Sequence, residues 1–281
     1  MVTKTVLVSL VSLGSLVLAP FPVRAAPAPA PAPHADQLPR VVYTAHRGGA
    51  LEVPENSMQG LVATHGRGYA PVLDIDIRML RDGTLVAMHD ATLDRTTNRT
   101  GPVKALDRKG WEQVRLMPPP SLPGSWHPER PPTVPEILDR FGGRTVLMLE
   151  LKDPAGLNRL NRLLRAKKLT RSVYLETNRL RLAVTSHKLG LLTAVWRSAR
   201  QMTRDHPERW TRNVNMLSVD HRTQPRHVRR AVRSGIRHVW SHTINTPTDR
   251  DRMLRLGVDG IVTDVPGLLA GRPASRQPLA R

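Results

Sequence analysis

Asp74-Ile75-Asp76-Ile77-Arg78-Met79-Leu80-Arg81-Asp82-Gly83-Thr84-Leu85-Val86-Ala87-Met88-His89-Asp90 reads as a strand, a tight turn and a returning strand. Asp82-Gly83 between β-rich runs is a strong short-range hairpin signal. A two-residue turn there places Asp76 opposite His89, with Asp74 one step further along the same face, because strand side chains repeat every two residues. The stretch therefore presents two carboxylates and an imidazole together.

Outward from this hairpin, apolar, mostly β-rich runs recur at 41–45, 71–80, 145–152, 172–177, 191–197, 214–220, 238–244 and 260–264. Helix-compatible stretches separate them, such as 57–65, with Asn56 or Ser57 as N-cap, and 156–168, 225–234 and 248–256. Strands alternating with helices argue for parallel pairing. Eight such strands, with 85–89 as an antiparallel return, predict a (β/α)8 TIM-type barrel with a β-hairpin inserted after the second strand; an open doubly wound sheet is the alternative. The barrel requires reactive groups at the C-terminal ends of several strands, and His46, Asp74, Asp76 and Glu150 occupy such places. The proline-crowded segment 118–135 reads as loop.

The 281-residue length suits one large domain at 41–270. Residues 1–25 hold Lys4, no acid, an apolar run at 6–19 and Val23-Arg24-Ala25, the pattern of a cleaved secretory signal. That run is short of the roughly twenty residues a membrane span needs. Residues 26–40 read as an Ala/Pro-rich linker and 271–281 as a tail. With no cysteine, the exported domain forms no disulfide. Of 43 basic residues, removal of Lys4 and Arg24 with the signal leaves 41 against 23 acids, a charge of +18. Such a surface attracts anionic polymers or membranes without specifying one. Three tyrosines and two phenylalanines are too few for a single-strand stacking platform, so no specific nucleic-acid partner is expected.

His46-Arg47-Gly48-Gly49 combines a proton-transfer group with a planar cation suited to phosphate oxygens. Glu55, in Pro54-Glu55-Asn56, is either a further site carboxylate or part of the cap of the next helix. Asp74, Asp76 and Glu150 are hard oxygen donors that suit one divalent cation, Mg²⁺ or Ca²⁺. Lys152 points the same way as Glu150, two residues on, able to pair with it or with a phosphate. Two imidazoles, a cation and Arg47 form a consistent apparatus for phosphodiester cleavage. His65, His127, His187, His206, His221, His227 and His238 show no pairing at ligand spacing.

These motifs, with the run from His89-Asp90-Ala91-Thr92-Leu93-Asp94-Arg95 to Gly101, Glu150-Leu151-Lys152 and Leu256-Gly257-Val258-Asp259-Gly260-Ile261-Val262-Thr263-Asp264, together resemble the glycerophosphodiester phosphodiesterase family. The similarity runs over about 41–270 and is weakest between about 155 and 235. It implies a barrel that hydrolyses glycerophosphodiesters to glycerol 3-phosphate and an alcohol with a divalent metal. It further implies His46 and His89 as acid and base, Asp74, Asp76 and Glu150 on the metal, and Arg47 and Lys152 on phosphate. Two positions depart from the family pattern. Asp74 stands where glutamate is usual and reaches one methylene less far. His242 stands where tryptophan is common, with Trp240, two residues earlier, as the replacement ring. A phospholipase D-like lipid enzyme on the same barrel, with Trp126 at its mouth, and a non-catalytic cationic binder of phosphate-rich polymers are the competing readings.

Overall fold

The computed structural model describes residues 34–270. The predicted signal, the first part of the linker and the tail lie outside them. Strands β1 (Val42–Ala45), β2 (Val72–Met79), β3 (Leu85–Ala87), β4 (Val146–Leu151), β5 (Val173–Thr177), β6 (Leu192–Arg197), β7 (Met216–Asp220), β8 (His238–His242) and β9 (Gly260–Thr263) form one sheet. β1 pairs in parallel with both β9 and β2, so the eight strands other than β3 close into a TIM-type (β/α)8 barrel. Helices α1 (Met58–Arg67), α2 (Arg108–Trp111), α3 (Val134–Phe141), α4 (Leu157–Ala166), α5 (Leu180–Lys188), α6 (Ala199–Met202), α7 (Pro225–Val232), α8 (Pro247–Arg255) and α9 (Pro266–Ala270) complete the described order. No helix among the described residues is long and apolar enough to cross a membrane.

The period of two sorts each strand into two layers. On β2, Leu73, Ile75 and Ile77 pack outward against Ile137, Leu138, Leu160 and Leu164 of the surrounding helices. Asp74 lines the barrel interior instead. The interior floor is apolar, built from Val42, Val72, Met148, Tyr174, Met216, Trp240 and Val262. Ala35, in a short 3₁₀ turn at Ala35–Gln37, belongs to this floor, and its N–H donates to the Arg171 carbonyl at 3.0 Å. The expected linker 26–40 therefore gives way to packed chain by residue 35.

The hairpin departs from expectation by one residue. Ile77 faces Ala87, Arg78 faces Val86 and Met79 faces Leu85, and the Met88 N–H donates to the Asp76 carbonyl. The turn is a three-residue loop, Arg81-Asp82-Gly83, with Leu80 N–H on the Thr84 carbonyl at 2.8 Å and Gly83 at φ +84°. A glycine in the left-handed region is what such a loop requires. Met88, not His89, thus stands opposite Asp76. Likewise Val134 and Pro135 of the expected proline-rich loop are the first turn of α3, where proline's missing N–H costs nothing; the Thr133 N–H donates to the Glu136 carboxylate at 2.8 Å at its start.

Trp240 is fully buried and lies against Gly260, its partner on β9. A Cβ built on Gly260 would fall 2.2 Å from Trp240 Cδ1. Gly260→Ala is accordingly expected to lower stability in urea unfolding by about 1–3 kcal/mol, as overpacked cores do. Adding Trp240→Leu to Gly260→Ala should recover part of that loss if the ring is what the methyl meets.

Candidate active site

At the C-terminal ends of the strands, a cavity of about 200 Å³ is lined by His46, Arg47, Asp74, His89, Glu150, Lys152, Glu176, Trp196, Ser218, His242, Thr243 and Val262. His46 follows directly on β1, where the chain turns sharply: Arg47 adopts φ +52°, a strained region for a residue with a Cβ. This turn swings the Arg47 guanidinium back over β2. His46 Nδ1 lies 2.6 Å from Asp264 Oδ1, and the second Asp264 oxygen accepts from Asn245 Nδ2 at 2.8 Å. Burial alone would lower the His46 pKa, but the Asp264 bond and the nearby Asp74 charge outweigh it, and the net shift is upward. The same contact helps hold Asp264 below its ordinary value against the opposing effect of its burial.

His89 is fixed in the same manner from the loop after β3. Its Nδ1 lies 2.6 Å from Asp90 Oδ1, and Asp90 accepts from Arg95 Nε at 2.6 Å. The Arg95 bond is the main cause of an Asp90 pKa lowered to about 2. Arg95 also forks onto both oxygens of Glu55 at 2.7 and 2.8 Å. Each imidazole thus has Nδ1 committed to a carboxylate, which leaves Nε2 for exchange with a substrate.

The acids divide into two groups. Asp76 Oδ1 lies 2.9 Å from Lys152 Nζ, and its Oδ2 accepts from Asn56 Nδ2 at 3.0 Å with Arg47 Nε 3.3 Å away. Burial would raise its pKa, but Lys152 and Arg47 hold it far below the usual range. Glu150 accepts from Lys152 at 2.5 Å and from Trp196 Nε1 at 2.8 Å. By contrast, no described residue donates a hydrogen bond to the carboxylate of Asp74 or Glu176, which are 4% and 5% exposed. Burial pushes Asp74 up to about 7, with Asp76 and Glu150 adding to the effect against His46. Burial, with the Asp74 and Glu150 charges, likewise raises Glu176 well above the carboxylate range.

Among the described residues, no three acids or histidines are already drawn together as a metal cage. The donor chemistry nonetheless fits a hard divalent cation: two buried carboxylates without hydrogen bonds share one pocket with Glu150.

Three expectations need correction. Trp240 does not line the pocket; it lies in the floor beside Tyr174, at a ring separation of 6.4 Å. Two residues along a strand keep the face but sit roughly 7 Å deeper. The ring on the pocket wall is Trp196 of β6, edge-on to His242 at 5.8 Å. Glu55 lines no part of the cavity; it braces Arg95 and, at 3.5 Å, Arg47. Trp126 donates Nε1 to the carbonyl of Pro123 in its own loop and stays away from the cavity.

Sequence reasoning also passed over Glu176, Asn56 as the anchor of Asp76, Asp264 and Asp90. Glu176 was signalled by its place in the β-rich run 172–177, on the face that Tyr174 shares. Asp90, Arg95 and Asp264 stand inside the quoted motifs without an assigned role.

Residues 46–268 match the glycerophosphoryl diester phosphodiesterase family. A glycerophosphodiester phosphodiesterase of Bacillus subtilis (strain 168) is 28% identical over 258 residues, covering 82% of this chain and 85% of that protein. A solved glycerophosphodiester phosphodiesterase from Agrobacterium tumefaciens str. C58 shares the fold with a TM-score of 0.67 at 20% identity, over 82% of this chain and 99% of that one. A phosphodiesterase of Oleispira antarctica, in complex with the product sn-glycerol-3-phosphate, has a TM-score of 0.67 at 20% identity, over 81% and 94% of the two chains.

His242 accounts for an acid-sensitive part of stability. Burial lowers its pKa to about 4 against a partial offset from Asp220, with His46, His221 and Arg222 adding to the decrease. As pH falls below the unfolded value of about 6.5, the unfolded chain takes up this proton first. The contribution is therefore full above pH ~6.5 and is lost toward pH ~4, amounting to ~3 kcal/mol. Urea unfolding of His242→Phe between pH 7 and 4.5 should show a shallower acid loss than the parent; parallel curves would contradict it.

Proposed function

The chain belongs to the glycerophosphoryl diester phosphodiesterase family, and we propose that it is an exported, metal-dependent enzyme that releases glycerol 3-phosphate and an alcohol by paired-histidine acid–base catalysis. The observation that carries the reading is the pair of imidazoles, each with Nδ1 on an aspartate, facing one pocket with Arg47, Lys152 and buried acids. In this reading His46, whose protonated form is favoured, donates from Nε2 to the leaving alcohol oxygen as the P–O bond breaks. His89 takes the proton from the attacking oxygen, its ring held by Asp90. Asp264 keeps the His46 tautomer and stabilises its charge, the part a carboxylate plays behind a catalytic imidazole. Arg47, freed from part of its contact with Asp76, offers its fork to the phosphoryl oxygens, and Lys152 adds a point charge. Asp74, Asp76 and Glu150 would hold the divalent cation, Mg²⁺ or Ca²⁺, which supplies charge withdrawal from the phosphoryl group.

The substrate class follows from the family and from the product seen in the Oleispira enzyme. Export rests on the pattern of residues 1–25. Attraction to anionic polymers or membrane surfaces rests on the basic excess, to which Arg226, Arg229, Arg230 and Arg233 contribute along one groove.

The test is release of glycerol 3-phosphate from glycerophosphocholine. Chelation should abolish turnover, and added Mg²⁺ or Ca²⁺ should restore it. His46→Ala and His89→Ala should each lower kcat by about 10²–10⁴-fold, the usual span of a lost acid or base. Well-folded protein that is inactive with either metal and several headgroups would reject the reading.

A further inference from the structure

Glu176 has no task in the mechanism above, and its surroundings make that costly. It sits on β5 directly beside Glu150 of β4, its register partner, and Glu150 in turn pairs with Asp76 of β2. The three acids form one row across neighbouring strands. Both Glu176 and Glu150 line the pocket, as Asp74 does from the level below. Glu176 is 95% buried by its 5% exposure, and no described residue donates a hydrogen bond to it. An ionised side chain so placed is strongly unfavourable unless a cation or donor reaches it. The two fixed cations nearby do not serve: Lys152 bridges Glu150 and Asp76, and Arg47 leans on Asp76 and Glu55.

Asp74 is the second unbonded acid of the pocket, and its carboxylate reaches one methylene less far than glutamate. Asp76 has both oxygens engaged by Lys152, Asn56 and Arg47. The carboxylates with free oxygens facing the cavity are thus Asp74 and Glu176, with Glu150 between them. We propose that Glu176 is an additional carboxylate ligand of the divalent cation, acting with Asp74, Asp76 and Glu150 and supplying the reach that Asp74 lacks. The inference rests on the cation reading above and adds to it a residue of β5.

Calorimetric titration of Ca²⁺ alone, and the rise in thermal midpoint that Ca²⁺ produces, test it on the purified protein without substrate. Glu176→Gln should bind Ca²⁺ about tenfold or more weakly, because affinity at such sites follows the count of charged ligands. Its cation-free midpoint should equal or exceed that of the parent, since a buried carboxyl without hydrogen bonds has been replaced by an amide that never ionises. Glu176→Asp should fall between the two in affinity, and it decides the matter if Glu176→Gln does not fold. Parental Ca²⁺ affinity in Glu176→Gln, or in Glu176→Asp where the former is unfolded, overturns the assignment and leaves the cation reading intact. A parent protein that binds neither Ca²⁺ nor Mg²⁺ overturns both.

Discussion

Lys152 Nζ lies 2.9 Å from Asp76 and 2.5 Å from Glu150, and the rest of the site depends on that bridge. Asp74, Glu150 and Glu176 line one pocket above an apolar floor with Asp76 beside them, and each would raise the others' pKa. Burial alone would lower the Lys152 pKa, yet Asp76 and Glu150 reverse the shift and keep it charged. With Arg47 it neutralises the inner pair. Asp74 and Glu176, on either side of Glu150, are left without a cationic or hydrogen-bonding partner among the described residues, and burial raises the pKa of both. A barrel tolerates this because its strands are tied by backbone hydrogen bonds all round, so charge repulsion at the mouth cannot splay them apart. The stability is supplied by the floor and the outer layer, and the mouth carries the strain.

The same closure builds the first histidine–aspartate pair. His46 leaves β1 and Asp264 follows β9, separated by 218 positions and joined at 2.6 Å because β1 and β9 are hydrogen-bonded neighbours. Asn245, after β8, clamps Asp264 through both its side-chain oxygen and its amide. Three strand ends thus determine one imidazole. The second pair is more local: His89, Asp90 and Arg95 lie within one loop, Arg78 Nε of β2 donates to the His89 carbonyl at 2.9 Å, and Arg95 reaches Glu55 in the loop after β1. One histidine is held from three strand ends and the other by a chain of charges along its own loop.

The barrel was legible because its strands are short β-rich runs at regular spacing, and burial on both faces is written into their composition. Asp74, Asp76, Glu150, His46 and His89 were legible as candidate site residues because charged or polar groups at the ends of apolar strands stand out from the core pattern. What escaped was depth and register. Trp240 and His242 share a face, but only the axial rise along β8 sends one to the floor and the other to the wall. The slip at Arg81-Asp82-Gly83 turns on a single residue adopting the left-handed region, which Asp-Gly allows in either a two- or a three-residue loop. Glu176 escaped because its partner Glu150 is 26 positions away, and only parallel pairing of β4 and β5 makes them adjacent.

Trp196 and His242 together build one wall of the pocket. The Trp196 ring comes from two strands away, holds Glu150 through Nε1 and meets His242 edge-on. His242 Nδ1 is 2.8 Å from the Ser218 hydroxyl, so the smaller ring is fixed without a charge partner. Held neutral by burial, it offers a polar but uncharged surface next to His46. A cationic residue there would oppose protonation of His46, and a carboxylate would add to an already excessive negative charge. A neutral imidazole avoids both while keeping a hydrogen-bonding edge toward the pocket, and that combination is what an aromatic hydrocarbon wall could not provide.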